Sequence, residues 1–152
     1  MKAVIQRVSS ASVEVDGAIV GSCKKGYLIL LGVADGDTET DAELLANKIA
    51  SLRIFRDTND KMNLSIQDID GEALVVSQFT LLANYRHGNR PDFLASAKPE
   101  EANRLYEYFT QLLKRRLRRV ETGIFGADMK VCLINEGPVT ICMDSEILRK
   151  KK

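Results

Sequence analysis

Histidine is almost absent from this 152-residue chain, which contains a single one, His87. A serine–histidine–aspartate triad would have to use that residue. The sequence also lacks the Gly-x-Ser-x-Gly motif that presents a nucleophilic serine. Glycine-rich phosphate loops and dinucleotide-binding fingerprints are absent as well. An enzyme with this sequence is therefore not expected to pair a side-chain nucleophile with a histidine base in the usual way.

Cysteine is also scarce, with Cys23, Cys132 and Cys142 as the three residues. Their spacing is not the Cys-x-x-Cys of a zinc site. Residues 57–61 faintly resemble a calcium loop, but Met62 occupies the position that requires glycine. We therefore expect neither a metal nor a cofactor. Each cysteine lies in an apolar, strand-like stretch, so the odd number predicts three buried free thiols in a reducing cytosol.

Long apolar runs are missing, and none approaches the ~18 residues that a membrane span needs. Lys2, Gln6 and Arg7 interrupt the first residues before the apolar region of a signal peptide could form. We therefore expect a cytoplasmic protein with no membrane contact. The formal net charge is only +1. Strongly basic nucleic-acid binders usually carry more, so any contact with nucleic acid must come from local patches.

What is present is the composition of an ordinary globular protein, with 45% apolar and 28% charged residues. The length favours one domain, over 1–148, followed by a basic tail over 149–152. Helical spacing predicts helices over about 39–53, with a capping box at Thr38, and from Pro99 onward. Apolar alternation, short apolar runs and an Asp16-Gly17 hairpin signal predict strands at 2–8, 11–16, 19–23, 27–33, 73–79, 130–134 and 139–143. The fold class is α+β: a mixed, mostly antiparallel sheet with a barrel-like core and two main helices.

Two short motifs lie at the edges of apolar, strand-like runs. The first reads Ser77-Gln78-Phe79-Thr80 and offers hydroxyls and backbone N–H donors. The second reads Asn135-Glu136-Gly137-Pro138-Val139-Thr140, and its Gly-Pro pair supplies carbonyl oxygens but only one backbone N–H. One donor-rich and one acceptor-rich element are the minimum for gripping a small polar substrate. The plain alternative for the first motif is a strand end whose hydroxyls cap the local backbone. For the second motif it is a turn between two strands.

These motifs resemble those of the D-aminoacyl-tRNA deacylase family, which carries Ser-Gln-Phe-Thr and Asn-x-Gly-Pro-Val-Thr. The similarity extends through residues 1–8, through Leu52-Arg53-Ile54-Phe55 and through residues 121–129. One five-residue motif would be weak evidence. Several motifs in the family's order and spacing, in a chain of the right length, identify the sequence as a member of the family.

The resemblance implies a hydrolase that removes D-amino acids, and glycine, from mischarged tRNA by cleaving the aminoacyl ester and spares L-aminoacyl-tRNA. It implies a cytoplasmic homodimer without a cofactor, in which a cis Gly137-Pro138 pair reaches from one subunit into the partner's pocket. There the two carbonyl oxygens grip the α-amino group, and main chain collides with an L side chain. In this family the ribose 2′-hydroxyl of the tRNA assists hydrolysis, which fits the lack of a protein base.

The resemblance also assigns individual residues to the site. We expect Thr80 to position the substrate rather than attack it, since no base for it is evident. Phe125 and Met129 match family positions near the terminal adenosine, and core packing is the alternative for both. Arg7 also matches a family position, and a surface ion pair is its alternative. The candidate catalytic residues are Ser77, Gln78, Phe79 and Thr80, and the candidate substrate-binding residues are Gly137, Pro138, Phe125, Met129 and Arg7.

Two polar stretches are candidates for contact with RNA. The irregular residues 82–97 follow the first motif and contain Tyr85-Arg86-His87-Gly88-Asn89-Arg90-Pro91. The basic residues 114–119 end a helix, either as a solvated face that complements the helix dipole or as a phosphate-binding patch. Two other functions stay open: a tRNA-binding module without catalysis, and a small-ester or peptide hydrolase that uses Thr80 and His87. Relatives often have tyrosine, aspartate, lysine and serine where this chain has Leu82, Asn84, His87 and Asp92.

Overall fold

The computed structural model describes residues 1–149, which form eight strands and three α-helices. A 3-10 helix, Phe79–Leu82, follows the sixth strand directly. The α-helices are α1 (Glu39–Ser51), α2 (Pro99–Lys114) and α3 (Ser145–Arg149). The strands are β1 (Lys2–Val15), β2 (Ala18–Cys23), β3 (Gly26–Gly32), β4 (Phe55–Arg56), β5 (Met62–Leu64), β6 (Glu72–Ser77), β7 (Arg119–Thr122) and β8 (Lys130–Asp144).

The long strand β1 organises the sheet. It pairs antiparallel with β2 and β3 on one edge and with β8 along the other. The sequence predicted two strands, 2–8 and 11–16, but the polar Ser9-Ser10 step does not end the strand. Instead the first half of β1 pairs with β3 and the second half with β2, while β8 follows both halves.

The sheet is mixed and nearly closes into a barrel. Its order is β2-β1-β3-β6-β7, with β8 on β1, and the β3–β6 and β6–β7 pairs are parallel. The ends of this path meet, because β2 lies against β7 and the Ser22 N–H donates to the Glu121 carboxylate at 3.0 Å. The predicted α+β fold class with a barrel-like core is confirmed.

Two apolar clusters fill the two faces of the sheet. The larger cluster packs α1 and α2 on the outer face, through residues such as Leu45, Ile49 and Phe109. The smaller cluster fills the barrel interior and includes Val13 and Leu74. Both predicted helices are confirmed, and α2 begins with Pro99 at its first turn, where a missing N–H costs no hydrogen bond.

The predicted capping box of α1 is confirmed and is tied to the C-terminal helix. The Asp41 carboxylate accepts the Thr38 N–H at 2.9 Å and the Arg149 Nε–H at 2.6 Å, and Arg149 also pairs with Asp37. Arg149 therefore belongs to α3 and not to a basic tail, so that part of the tail prediction is wrong. The rest of the tail, residues 150–152, lies outside the described residues.

The cysteine prediction is partly wrong. Cys23 is buried, and burial, with Glu72 nearby, raises the pKa of its thiol to about 11. Cys132 and Cys142 are exposed free thiols. The reason is that side chains alternate along β8 and only one of its faces covers the core. An apolar run could not indicate which face each cysteine takes.

We expect Asp41→Asn to lower the free energy of unfolding by about 1–2 kcal/mol near neutral pH. Burial alone would raise the pKa of Asp41, but hydrogen bonds from the Thr38 N–H, Arg149 and Ser145 hold it below its ordinary value. The stabilisation is therefore fully present above the ordinary aspartate pKa and is lost as the pH falls through the folded-state pKa.

Urea unfolding of both proteins from about pH 7 down to about pH 2.5 measures this difference. The stability gap should shrink as the pH falls below the ordinary aspartate pKa. Asp128→Asn, at an exposed position, is the matched control for the loss of one carboxylate. A gap for Asp41→Asn that stays constant over this range would contradict the assignment.

Candidate functional site

A cavity of about 460 Å³ opens beside the end of β6 and the start of α2. Its wall is largely apolar. It brings together Ser77, Gln78 and Phe79 of the first motif with Phe125 and Met129 from the segment before β8. The other residues that line it are Leu31, Val33, Val76, Ser96, Ala97, Pro99, Ala102, Gly126, Ala127 and Val131. Five of the nine predicted site residues thus share one cavity.

The first motif leaves the strand earlier than the sequence predicted. Strand β6 ends at Ser77 rather than at residue 79, and the chain turns into the 3-10 helix. The Gln78 N–H still donates to Leu31 O at 2.8 Å. Gly32 permits this turn, because a Cβ there would lie 2.6 Å from Leu82 Cδ2 and 2.9 Å from Gln78 O. A glycine in the neighbouring strand therefore positions the motif.

The 3-10 helix presents free backbone donors at the mouth of the cavity. The N–H groups of its first residues, Phe79 and Thr80, have no acceptor within the helix. Thr80 itself is exposed and is not among the residues that line the cavity. Its hydroxyl oxygen accepts a hydrogen bond from the Gln78 side-chain amide, which is not a base. This arrangement can hold a carbonyl oxygen but does not activate a threonine nucleophile.

Aromatic rings border the cavity on two sides. The Phe79 side chain is 57% exposed and meets Phe93 edge to face, with ring centroids 5.0 Å apart. On the other side Phe125 packs against Tyr106 at 6.0 Å. Phe125 is half-buried and, like Met129, also packs against a core cluster. Both residues therefore line the cavity and pack against the core, and their contact with the terminal adenosine stays a prediction.

The second motif forms a bulge within one continuous strand, not a turn between two strands. The β1–β8 register passes from Gln6↔Thr140 directly to Val8↔Asn135. Residues 136–139 therefore lie opposite Arg7 alone. The Gly137–Pro138 peptide bond is cis, as the resemblance implied. Gly137 and Pro138 are exposed, and φ at Gly137 is +124°, which suits glycine.

Side chains hold this bulge from both strands. Arg7 is only 5% exposed, and its Nε–H donates to Glu136 O at 3.0 Å while Nη1 donates to Ile54 O at 2.7 Å. The predicted alternative of a surface ion pair for Arg7 is therefore wrong. From the other side, Asn135 Oδ1 accepts the Val139 N–H at 2.9 Å, and Asn135 Nδ2 donates to Thr140 Oγ1 at 2.9 Å.

The clamp role of Asn135 and Thr140 was missed from the sequence, although both belong to the quoted motif. The available signal was an asparagine just before a Gly-Pro pair, because its side chain readily bonds nearby backbone N–H groups. The contact of Phe93 with Phe79 joins residues far apart in an irregular stretch and carried no such signal.

The two motifs do not meet within one chain. Gly137 and Arg7 line a separate hollow of about 270 Å³ with Val8, Lys25, Phe55, Arg56 and Glu136. Val131 lines the main cavity, and Gly137 follows it by six residues, about 20 Å at the rise of an extended strand. The predicted site thus falls into two parts, a pocket with free N–H donors and a clamped main-chain bulge.

Two kinds of feature are absent from the described part of the chain: a metal-ligand cluster and a membrane-spanning helix. Within residues 1–149 no three or more His, Cys, Asp or Glu side chains are grouped to hold a metal ion. In the same range, no helix is both long enough and apolar enough to cross a membrane.

The chain is similar to known proteins over nearly its whole length. The family model described as D-Tyr-tRNA(Tyr) deacylase matches residues 4–144. A D-aminoacyl-tRNA deacylase of Thermosipho melanesiensis is 56% identical over 147 residues, covering 96% of this chain and 98% of the relative. One from Sulfurihydrogenibium sp. is 56% identical over 148 residues, covering 97% and 100%.

Solved structures share the fold. The c-Myc DNA unwinding element binding protein superposes with a TM-score of 0.90 at 40% identity, over 95% of this chain and 98% of that one. A probable eukaryotic D-amino acid tRNA deacylase has a TM-score of 0.80 at 16% identity, over 93% and 97%, and shows the likeness of fold alone.

The barrel-like α+β fold and the matched motifs define a hydrolase of the type that acts on aminoacyl-tRNA. The chain belongs to the D-Tyr-tRNA(Tyr) deacylase family.

We expect Asn135→Ala to loosen the bulge without unfolding the barrel. The Val139 N–H loses its acceptor, so its hydrogen exchange should accelerate by about tenfold or more. Asn103→Ala, which removes a half-buried asparagine on α2 that donates to Glu107, is the matched control and should leave the Val139 rate unchanged. Unchanged Val139 exchange in Asn135→Ala would mean that Asn135 does not hold the bulge.

Proposed function

We propose that this protein hydrolyses the ester between a D-amino acid and the terminal ribose of tRNA. Water attacks the ester carbonyl, the bond to the ribose oxygen breaks, and that oxygen takes a proton, which leaves a free D-amino acid and intact tRNA. The observation that carries the proposal is that the matched residues Ser77, Gln78, Phe79, Phe125 and Met129 line one cavity in a member of this family.

The main chain supplies the stabilisation of the transition state. The free N–H groups of Phe79 and Thr80 donate to the carbonyl oxygen as it becomes an oxyanion, and such a donor is worth about 3–4 kcal/mol. Thr80 positions the substrate, since its hydroxyl contacts an amide and not a base. The ribose 2′-hydroxyl of the tRNA assists the proton transfer. Phe125 and Met129 pack against the terminal adenosine.

The Gly137–Pro138 bulge of a partner subunit completes the pocket, and the protein acts as a homodimer. Two observations support this. The bulge is exposed and lies about 20 Å along β8 from its own cavity, and β8 presents exposed apolar side chains such as Ile134, which is 61% exposed. The Gly137 and Pro138 carbonyl oxygens then accept hydrogen bonds from the substrate's α-ammonium group.

Chiral selection follows from steric exclusion by rigid main chain. With the ammonium held at Gly137 and Pro138, a D side chain points away from the bulge, whereas an L side chain collides with it. Glycine has no side chain and is admitted. The pocket therefore accepts many D-amino acids, because selection depends on the configuration at the substrate's Cα atom and not on the shape of its side chain. A proofreading activity of this kind belongs in the cytoplasm, where tRNA is charged.

We expect the purified protein to release D-tyrosine and glycine rapidly from D-Tyr-tRNA and Gly-tRNA, and to leave L-Tyr-tRNA intact, with a chelator present throughout. The L ester should react at least about a hundredfold more slowly, because the collision with main chain costs several kcal/mol. Radiolabelled esters and single-turnover rates give the measurement. Equal rates for the D and L esters would show that the bulge is not the filter.

Two other outcomes identify the alternative functions. Binding of tRNA without hydrolysis of any ester would mean a tRNA-binding module. A hydrolase that uses Thr80 and His87 would lose about 10²–10⁴ in kcat on replacement of His87 by alanine, because general-base catalysis would be lost. The mechanism proposed here keeps kcat for D-Tyr-tRNA in that variant at saturating tRNA.

A further inference from the structure

We propose that residues 85–90, here called the exposed loop, bind the single-stranded 3′ end of the RNA next to the pocket. The inference deepens the proposed function and rests on it for the identity of the RNA. No residue of the loop lines the cavity or takes part in the chemistry above. The loop's shape, its side chains and its attachment point each support the assignment.

The base of the exposed loop is clamped. Asn84 and Asp92 exchange backbone hydrogen bonds of 2.8 and 3.0 Å, and Asn84 Nδ2 donates to Asp92 Oδ2 at 3.1 Å. Asn84 Oδ1 also accepts the Arg86 N–H at 3.1 Å. Asn84 and Asp92 therefore pair with each other through both main chain and side chains. These hydrogen bonds fix the base of the exposed loop.

The side chains of the exposed loop suit single-stranded nucleic acid. Tyr85 is 81% exposed, and Arg86 and Arg90 are also exposed and form no ion pair within residues 1–149. No acidic residue occurs among 85–91. Aromatic faces stack on unpaired bases, and arginines bind the phosphates between them. An acidic protein partner fits this loop less well than RNA, because its carboxylates would pair with the arginines but would offer the Tyr85 ring no flat surface for stacking.

The exposed loop is attached at the mouth of the pocket. The chain enters it from the 3-10 helix that carries Phe79 and Thr80. It returns through Phe93, which contacts the Phe79 ring, and Ser96, whose hydroxyl donates to Phe79 O at 3.4 Å. Ala97 then lines the pocket. Nucleotides that precede the terminal adenosine must leave the pocket past such a rim.

The other basic stretch, residues 114–119, is less suited to this role. Lys114 lies fifteen residues after Pro99 on α2, about 22 Å along the helix, and does not line the cavity, although it lines a second hollow together with Phe125. Arg118 is engaged by Asp70 and Glu72, and Arg119 by Glu121. Arg115 and Arg116 are exposed and form no ion pair within residues 1–149, but neither of them lines the cavity.

The test uses uncharged RNA, so that binding is measured without turnover. Two hairpins share an acceptor-stem duplex, and one of them ends in a four-nucleotide single strand of sequence ACCA while the other is blunt. The loop variant is Arg86→Gln/Arg90→Gln, and Arg115→Gln/Arg116→Gln is the charge-matched control. Tyr85→Ala and Tyr85→Phe separate stacking from the hydroxyl group.

We expect the loop variant to bind the ACCA hairpin about tenfold more weakly and the blunt hairpin as well as the wild-type protein does. Its salt-dependence slope for the ACCA hairpin should fall by about 1.4, or 0.7 for each lost phosphate contact. Tyr85→Ala should weaken binding of the ACCA hairpin and Tyr85→Phe should not. The control variant should change the affinity for both hairpins equally.

Equal weakening of both hairpins by the loop variant, or no weakening of either, would overturn the assignment. Failure of the proposed function gives a different result. If the wild-type protein hydrolyses no aminoacyl ester but the loop variant still loses the contribution of the single strand, the loop binds RNA and the hydrolase proposal is wrong.

Discussion

The candidate site depends on the contact between Arg7 and the bulge at residues 136–139. A buried guanidinium is costly unless each donor finds a partner, and here it bonds the carbonyl oxygens of Glu136 and Ile54. Arg7 lies in β1, the strand that pairs with β2, β3 and β8. The bulge is therefore fixed to a strand that pairs with three others, and Asn135 secures its other end.

Rigid main chain replaces the missing catalytic side chains in this account. In the proposed function, free N–H groups of the 3-10 helix bind the carbonyl oxygen of the substrate, and the clamped carbonyl oxygens of the bulge bind its ammonium group. Main-chain groups suit a filter for configuration, because they exclude an L-amino acid by collision close to its Cα atom. The rest of the substrate's side chain does not affect this collision. The proposed arrangement needs neither a histidine base nor a cysteine nucleophile. The assignment of these groups to two different subunits remains a proposal.

Periodicity and caps predicted the fold class, both main helices and the capping box at Thr38, because these depend on local sequence. The remaining features depend on pairing between strands that are far apart in the chain, and local sequence does not reveal that pairing. Such pairing merged two predicted strands into β1 and turned the expected turn at Gly137 into a bulge in β8. It also decided which face of β8 carries Cys132 and Cys142. At the candidate site, the motifs pointed to five residues that line one cavity, but sequence order could not show that Phe79 and Gly137 lie on separate surfaces.

Subunit complementation tests the central claim most directly. Ala127→Trp fills the pocket, and Gly137→Val forces a Cβ within 2.5 Å of Arg7 Nη2 and so displaces the bulge. Each homodimer should be inactive towards D-Tyr-tRNA. After unfolding and refolding together in equal amounts, heterodimers with one complete site should restore about a quarter of wild-type activity. No recovery from a mixture in which heterodimers are shown to form would contradict a site shared between subunits.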